Sequence, residues 1–175
     1  MRSSGALRLY KPGCAKAVKP STSYTTLGTS GWTQYNALTS RGDVSGDGHP
    51  DLIARNASTG AVYLYKGTSA GKLAARVKLY DNWKGYRKIV GTGDITGDIT
   101  GDGKADLLAQ DTSDNLYRYD GKGDGTFAAR VKVFSHWGGS YNAVVGVGDI
   151  TGDGKGSFGA RVQIASGWSG YKALS

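Results

Sequence analysis

The chain has 175 residues and a net charge of +8, with 29 Gly, 3 Pro, 4 Trp and 11 Tyr. That length suffices for a domain with a real core, while no apolar run approaches the length of a membrane-spanning helix. The single cysteine, Cys14, excludes an internal disulfide, and abundant Gly with aromatic and β-branched residues suits short strands and tight turns over helices.

In chain order, residues 1–5 read as a start residue followed by tag residues, without the charged-then-apolar pattern of a secretory leader. Ala6-Leu7-Arg8-Leu9-Tyr10-Lys11 predicts a strand matching Val62-Tyr63-Leu64-Tyr65-Lys66, so residues 1–31 read as the last two strands of a unit entered midway. Trp32, Trp83, Trp137 and Trp168 then mark a period, each followed three or four residues later by Tyr35, Tyr86, Tyr141 or Tyr171. From Trp32 and from Trp83 the order is the same. A short apolar strand leads to an Asp-rich loop, then to an apolar strand (Asp51–Arg55; Asp106–Gln110). A polar turn leads on to an alternating strand (Ala61–Tyr65; Asn115–Tyr119), and a Gly-rich turn to a strand opening at Ala75 or Ala129. The segments are residues 32–82, 83–136, a shortened 137–167, and the start of another at 168–175. Four short strands in a unit of about 50 residues predict an all-β chain of propeller blades, each sheet burying its faces against its neighbours.

Two irregularities interrupt the repeat. Gly93-Asp94-Ile95-Thr96 is copied as Gly97-Asp98-Ile99-Thr100, and only the Asp98 register is followed by Asp-Gly at the right distance. The third unit passes from Lys155 directly to Gly156-Ser157-Phe158. Aligned on the second, it lacks about 20 residues, both middle strands among them.

The Asp-rich loops carry the chemistry. Asp43, Asp47 and Asp51 stand at positions one, five and nine of a loop with Ser45 at three and glycines at four and six. Calcium takes six to eight oxygens from carboxylates, hydroxyls, carbonyls and water. The predicted first cage is therefore Asp43, Ser45, Asp47, the main-chain carbonyl of His49, and Asp51. The second is Asp98, Thr100, Asp102, the carbonyl of Lys104, and Asp106. The third keeps Asp149, Thr151 and Asp153 but has Ser157 in the final place, and should bind weakly. A structural calcium ion is the expected cofactor. Magnesium, which wants a tighter octahedron with several waters, fits less well. Asp-Gly turns alone would explain a hairpin but not the same three-Asp spacing in two separate units.

The loop Asp-x-Ser/Thr-x-Asp-Gly-x-x-Asp and the four-strand unit resemble the FG-GAP (VCBS-type) repeats of integrin α-subunit propellers and of secreted bacterial proteins. The Phe-Gly-Gly-Ala-Pro string itself is absent, its place held by segments such as Asn142-Ala143-Val144-Val145-Gly146. The resemblance implies a seven-bladed propeller, of which this chain would hold about half, with calcium in the loops. It also implies roles in adhesion, in glycan binding or as an accessory to secreted hydrolases.

Every acidic residue is Asp and most sit in the loops, while Lys and Arg are scattered along strands. That distribution argues against nucleic acid and suits an acidic glycan or cell-wall polymer. The Trp and Tyr pairs admit two roles, blade packing or platforms for sugar rings at Trp32, Tyr35, Trp83, Tyr86, Trp137, Tyr141, Trp168 and Tyr171. The Arg41-Gly42-Asp43 tripeptide is disfavoured as an integrin ligand because Asp43 is already a cage residue. With two His, no Glu and no nucleophile beside a base, no catalytic constellation is visible. The expectation is a secreted, non-catalytic, calcium-stabilised module that binds glycans or cell-surface polymers. The alternatives are a scaffold domain of a secreted hydrolase and a protein-adhesion module, with assembly between chains possible.

Overall fold

The computed structural model describes residues 5–10, 21–40, 42–93 and 103–137. They form antiparallel strands: β1 (Leu7–Tyr10), β2 (Tyr24–Gly28), β3 (Tyr35–Thr39), β4 (Leu52–Asn56), β5 (Val62–Tyr65), β6 (Val77–Tyr80), β7 (Tyr86–Gly93), β8 (Asp106–Asp111), β9 (Leu116–Tyr119) and β10 (Val131–Phe134). Among the described residues there is no α-helix, only a short 3-10 turn at Trp32–Gln34. The third unit beyond Trp137 and the copied Gly-Asp-Ile-Thr at 97–100 lie outside the described residues.

Strands pair in chain order. β1 and β2 form a two-stranded sheet, β3 to β6 a four-stranded meander, and β7 to β10 a second meander. This is blade architecture, complete in the two meanders and partial in the first pair. The second strands are the most buried: Ile53, Ala54 and Arg55 of β4 and Asp106 to Gln110 of β8 are all withdrawn from solvent. A strand covered on both faces can carry a continuous apolar run, and Leu-Ile-Ala and Leu-Leu-Ala supply it. β5 alternates buried and half-buried residues, the period-two pattern of a pleated strand.

The fourth strands begin two residues later than the sequence pattern suggests. The amides of Ala74 and Ala128 turn back to the carbonyls of Lys66 and Asp120, both at 2.8 Å. The chain becomes extended only at Val77 and Val131.

One backbone joint recurs at each tryptophan among the described residues. The Trp32 amide donates to the carbonyl of Gly5 (2.9 Å), that of Trp83 to Gly60 (2.8 Å), and that of Trp137 to Asp114 (2.7 Å). Each acceptor sits at positive φ (59°, 76° and 63°), a conformation that Gly adopts freely and Asp tolerates. A single apolar cluster runs across the two meanders, with Val44, Ile53 and Leu64 from one side and Leu107, Tyr117 and Phe127 from the other. The β1–β2 pair is less covered: Leu9 is 42% exposed, whereas Leu64, at the matching place in β5, is 1% exposed.

Candidate metal centre

The loop between β3 and β4 folds around its own carboxylates. Asp43 Oδ1 accepts the Gly46 amide (2.7 Å) and the Ser45 hydroxyl (3.4 Å), and Oδ2 accepts the Gly48 amide (2.6 Å). Asp47 Oδ1 accepts the amide of His49 at 3.0 Å. Gly46 and Gly48 adopt φ of 76° and 82°, which lets the chain curl tightly enough for these contacts. Burial would raise the Asp43 pKa, but the amides of Gly48, Gly46, Asp47 and Ser45 outweigh it and hold the carboxyl below 3.8.

Asp51 closes the loop and is 1% exposed. Its Oδ2 accepts the amides of Val44 (3.0 Å) and Ser45 (2.8 Å), and its Oδ1 the amide of Gly67 (2.8 Å) from the β5–β6 turn. A carboxylate offers roughly four lone-pair positions. Among the described residues these amides engage three of them, two on Oδ2 and one on Oδ1.

Carboxylate oxygens of Asp43, Asp47 and Asp51 lie within 4.8 Å of one another. Three anionic groups that close repel one another unless a cation stands between them. The donors are carboxylate and hydroxyl oxygens, with no sulfur or imidazole nitrogen needed, so the set suits a hard cation of the calcium class. The residues present therefore fit the ion that the loop pattern implies.

Of the second cage, Asp106 is 4% exposed and its Oδ1 accepts the amide of Gly121 at 2.8 Å. Lys104 precedes it in the same loop. Asp98, Thr100 and Asp102 lie outside the described residues, as do Asp149, Thr151 and Asp153 of the third.

The aromatic residues occupy the sheet joints. Trp83 is 5% exposed, stacked on Tyr80 (centroids 4.5 Å, 26°) and against Tyr119 (4.7 Å). Tyr35 and Tyr86 are likewise buried. A sugar ring stacks only on an open aromatic face, so burial corrects the platform reading at Tyr35, Trp83 and Tyr86. Trp83 bridges the two meanders, while Tyr35 and Tyr86 pack within their own blades. Trp32 and Trp137 are half-buried, Trp32 against Tyr35 and Tyr65 and Trp137 stacked on Phe134. Tyr141, Trp168 and Tyr171 lie outside the described residues.

Each complete blade repeats one polar knot. The hydroxyls of Tyr35 and Tyr65 share a hydrogen bond of 2.5 Å, as those of Tyr86 and Tyr119 do at 2.8 Å. Arg76 donates to the Tyr35 hydroxyl and lies over the Tyr63 ring; Arg130 does the same with Tyr86 and Tyr117. Sequence reading passed over these arginines as ordinary strand residues, although their recurrence in Ala-Ala-Arg-Val was the available signal. It also passed over Gly67 and Gly121, whose signal was a glycine two places after the same Tyr in both repeats. Arg41 lies outside the described residues, while Asn56 spends its side-chain oxygen closing the β4–β5 turn onto Ser58 and Thr59.

A family model described as "FG-GAP-like repeat" matches residues 43–109 and again residues 98–158, the first match beginning on Asp43. Among curated proteins none matches the chain.

Proposed function

Because the chain belongs to the FG-GAP-like repeat family, a family of structural, non-catalytic repeats, we propose that it is a calcium-stabilised scaffold module acting outside the cell. The observation that carries this reading is the convergence of the Asp43, Asp47 and Asp51 carboxylates within 4.8 Å. Asp43, Ser45, Asp47 and the carbonyl of His49 supply the outer oxygens, and Asp51 anchors the loop from the buried side. The ion, when bound, supplies the positive charge that three neighbouring carboxylates need. Two of the three carboxylates are not buried, so the affinity is moderate, and such sites fill where free calcium is high, as it is outside cells.

The buried aromatics favour contact with protein or with a parent domain over the stacking of sugar rings. The net charge of +8 suits a partner with an acidic surface.

Calorimetric titration of the full chain with calcium, alongside thermal unfolding with calcium and with chelator, tests the metal. Saturable uptake and a rise in Tm that chelator abolishes are expected; no uptake and no shift would overturn it. A panel of glycans and cell-wall polysaccharides, run with calcium, tests the partner. No retention is expected, and calcium-dependent retention would restore the glycan reading.

A further inference from the structure

We infer that the Asp43–Asp51 loop is a two-sheet site: the β9–β10 turn of the following sheet, Gly121–Phe127, positions the ligands. Cation binding and the joint between the two meanders are therefore coupled. The inference rests on the calcium reading above.

Val44 is the pivot. It stands between the ligand positions Asp43 and Ser45, and its amide donates to Asp51 Oδ2 at 3.0 Å. Its carbonyl accepts the amide of Gly125, from the next sheet, at 2.9 Å. Its side chain is 6% exposed and belongs to the apolar cluster that also holds Phe127 and Leu64. One residue thus ties a ligand carboxylate, a neighbouring sheet's backbone and the core between sheets.

Gly46 closes the same contact from the loop side. A Cβ built there would lie 2.2 Å from the carbonyl oxygen of Gly123. No side chain fits between the cation loop and the turn, so they meet backbone to backbone. The β5–β6 turn gives the control. At Gly71 an added Cβ would meet nothing within 4 Å, whereas at the matching Gly125 it would be 3.1 Å from Leu64 Cδ2 and 3.9 Å from Ser45 Cβ. Close packing of the turn is therefore a property of the docked loop and not of the turn by itself.

Coupling must be reciprocal. If the turn holds Val44 where the ligands converge, then a cation that orders the loop also orders the turn, and weakening the turn weakens the cation by the same factor. Val44→Ala leaves every ligand position intact, and Phe127→Leu changes only the distal side.

Hydrogen–deuterium exchange on the full chain, followed by mass spectrometry during a calcium titration, resolves the two segments. The expected result is that calcium protects residues 121–127, including the Gly125 amide, at the same midpoint as residues 43–51. Either substitution should raise that midpoint about fivefold or more, the low end of ordinary coupling between sites. Protection of 43–51 alone, with 121–127 indifferent to calcium, would overturn the inference while leaving the metal reading intact. If neither segment responds and calorimetry finds no uptake, the metal reading falls and this inference falls with it. Should a substitution prevent folding, the wild-type titration still decides.

Discussion

The carboxylate of Asp106 accepts the amide of Gly121 at 2.8 Å, and in the preceding sheet Asp51 accepts the amide of Gly67 at the same distance. The last acid of each loop is therefore a brace across its own sheet, joining the loop to the turn between the third and fourth strands. It is buried, while the earlier acids Asp43 and Asp47 are not. Two kinds of acid within one loop should respond differently to mutation.

Asp51→Ala strips the acceptor from the amides of Val44, Ser45 and Gly67. Leaving buried donors unsatisfied costs about 1–3 kcal/mol, and this loss should appear in urea melts with or without calcium. Asp47→Ala removes an exposed carboxylate whose partner is one local amide. Its effect should appear only when calcium is present, because a ligand stabilises the folded state by mass action. Equal losses for Asp47→Ala in calcium and in chelator would contradict the metal site.

Acid should weaken the loop in a defined window. The Asp43 pKa lies below its ordinary value of 3.8 in the folded chain. Its contribution is therefore present above pH 3.8 and is lost as pH falls through the folded value. Asp43→Asn should flatten that limb of an acid-denaturation curve. Calcium should push the wild-type curve to lower pH, since metal and proton compete for the same oxygens.

Alkali should act on the tyrosine knots. Burial, then the hydrogen bond with the Tyr35 hydroxyl, pushes the Tyr65 pKa up from 10 to about 12. Burial and the Tyr86 hydroxyl raise Tyr119 as well. Because each folded value lies above the unfolded one, the stabilisation is complete below pH 10 and is lost as pH climbs from 10 through each folded value. Ultraviolet titration should show a late-ionising class of tyrosines that merges with the rest on unfolding. Tyr35→Phe should remove part of that class.

Trp83 joins two sheets through Tyr80, Tyr86 and Tyr119. Trp83→Ala should cost about 3–5 kcal/mol, the usual range for deleting a large buried aromatic, whereas Trp83→Phe should cost less because it keeps a ring in the joint. A melt in which Trp83→Ala matches wild type would mean that the joint does not hold the meanders together.

Strand order was legible because alternation and turn residues are local: Val62-Tyr63-Leu64-Tyr65 shows its period of two in the chain itself. The starts of β6 and β10 were less so, because the bonds from Ala74 to Lys66 and from Ala128 to Asp120 span eight residues. The roles of the aromatics were ambiguous for a stronger reason. Whether Trp83 stacks on a ligand or on Tyr119 depends on a partner 36 residues away, and no spacing rule reports that contact.

By itself the sequence determined the repeat and the acidic loop, because three Asp within nine consecutive residues form a local geometry that the positions of Asp and Gly specify. Tertiary structure alone decided which acid is buried, that Tyr35, Trp83 and Tyr86 are interior, and that Val44 is held by the next sheet. Those outcomes follow from how two sheets exclude water between them. That exclusion is a property of surfaces brought together by the whole fold and not of any run of residues.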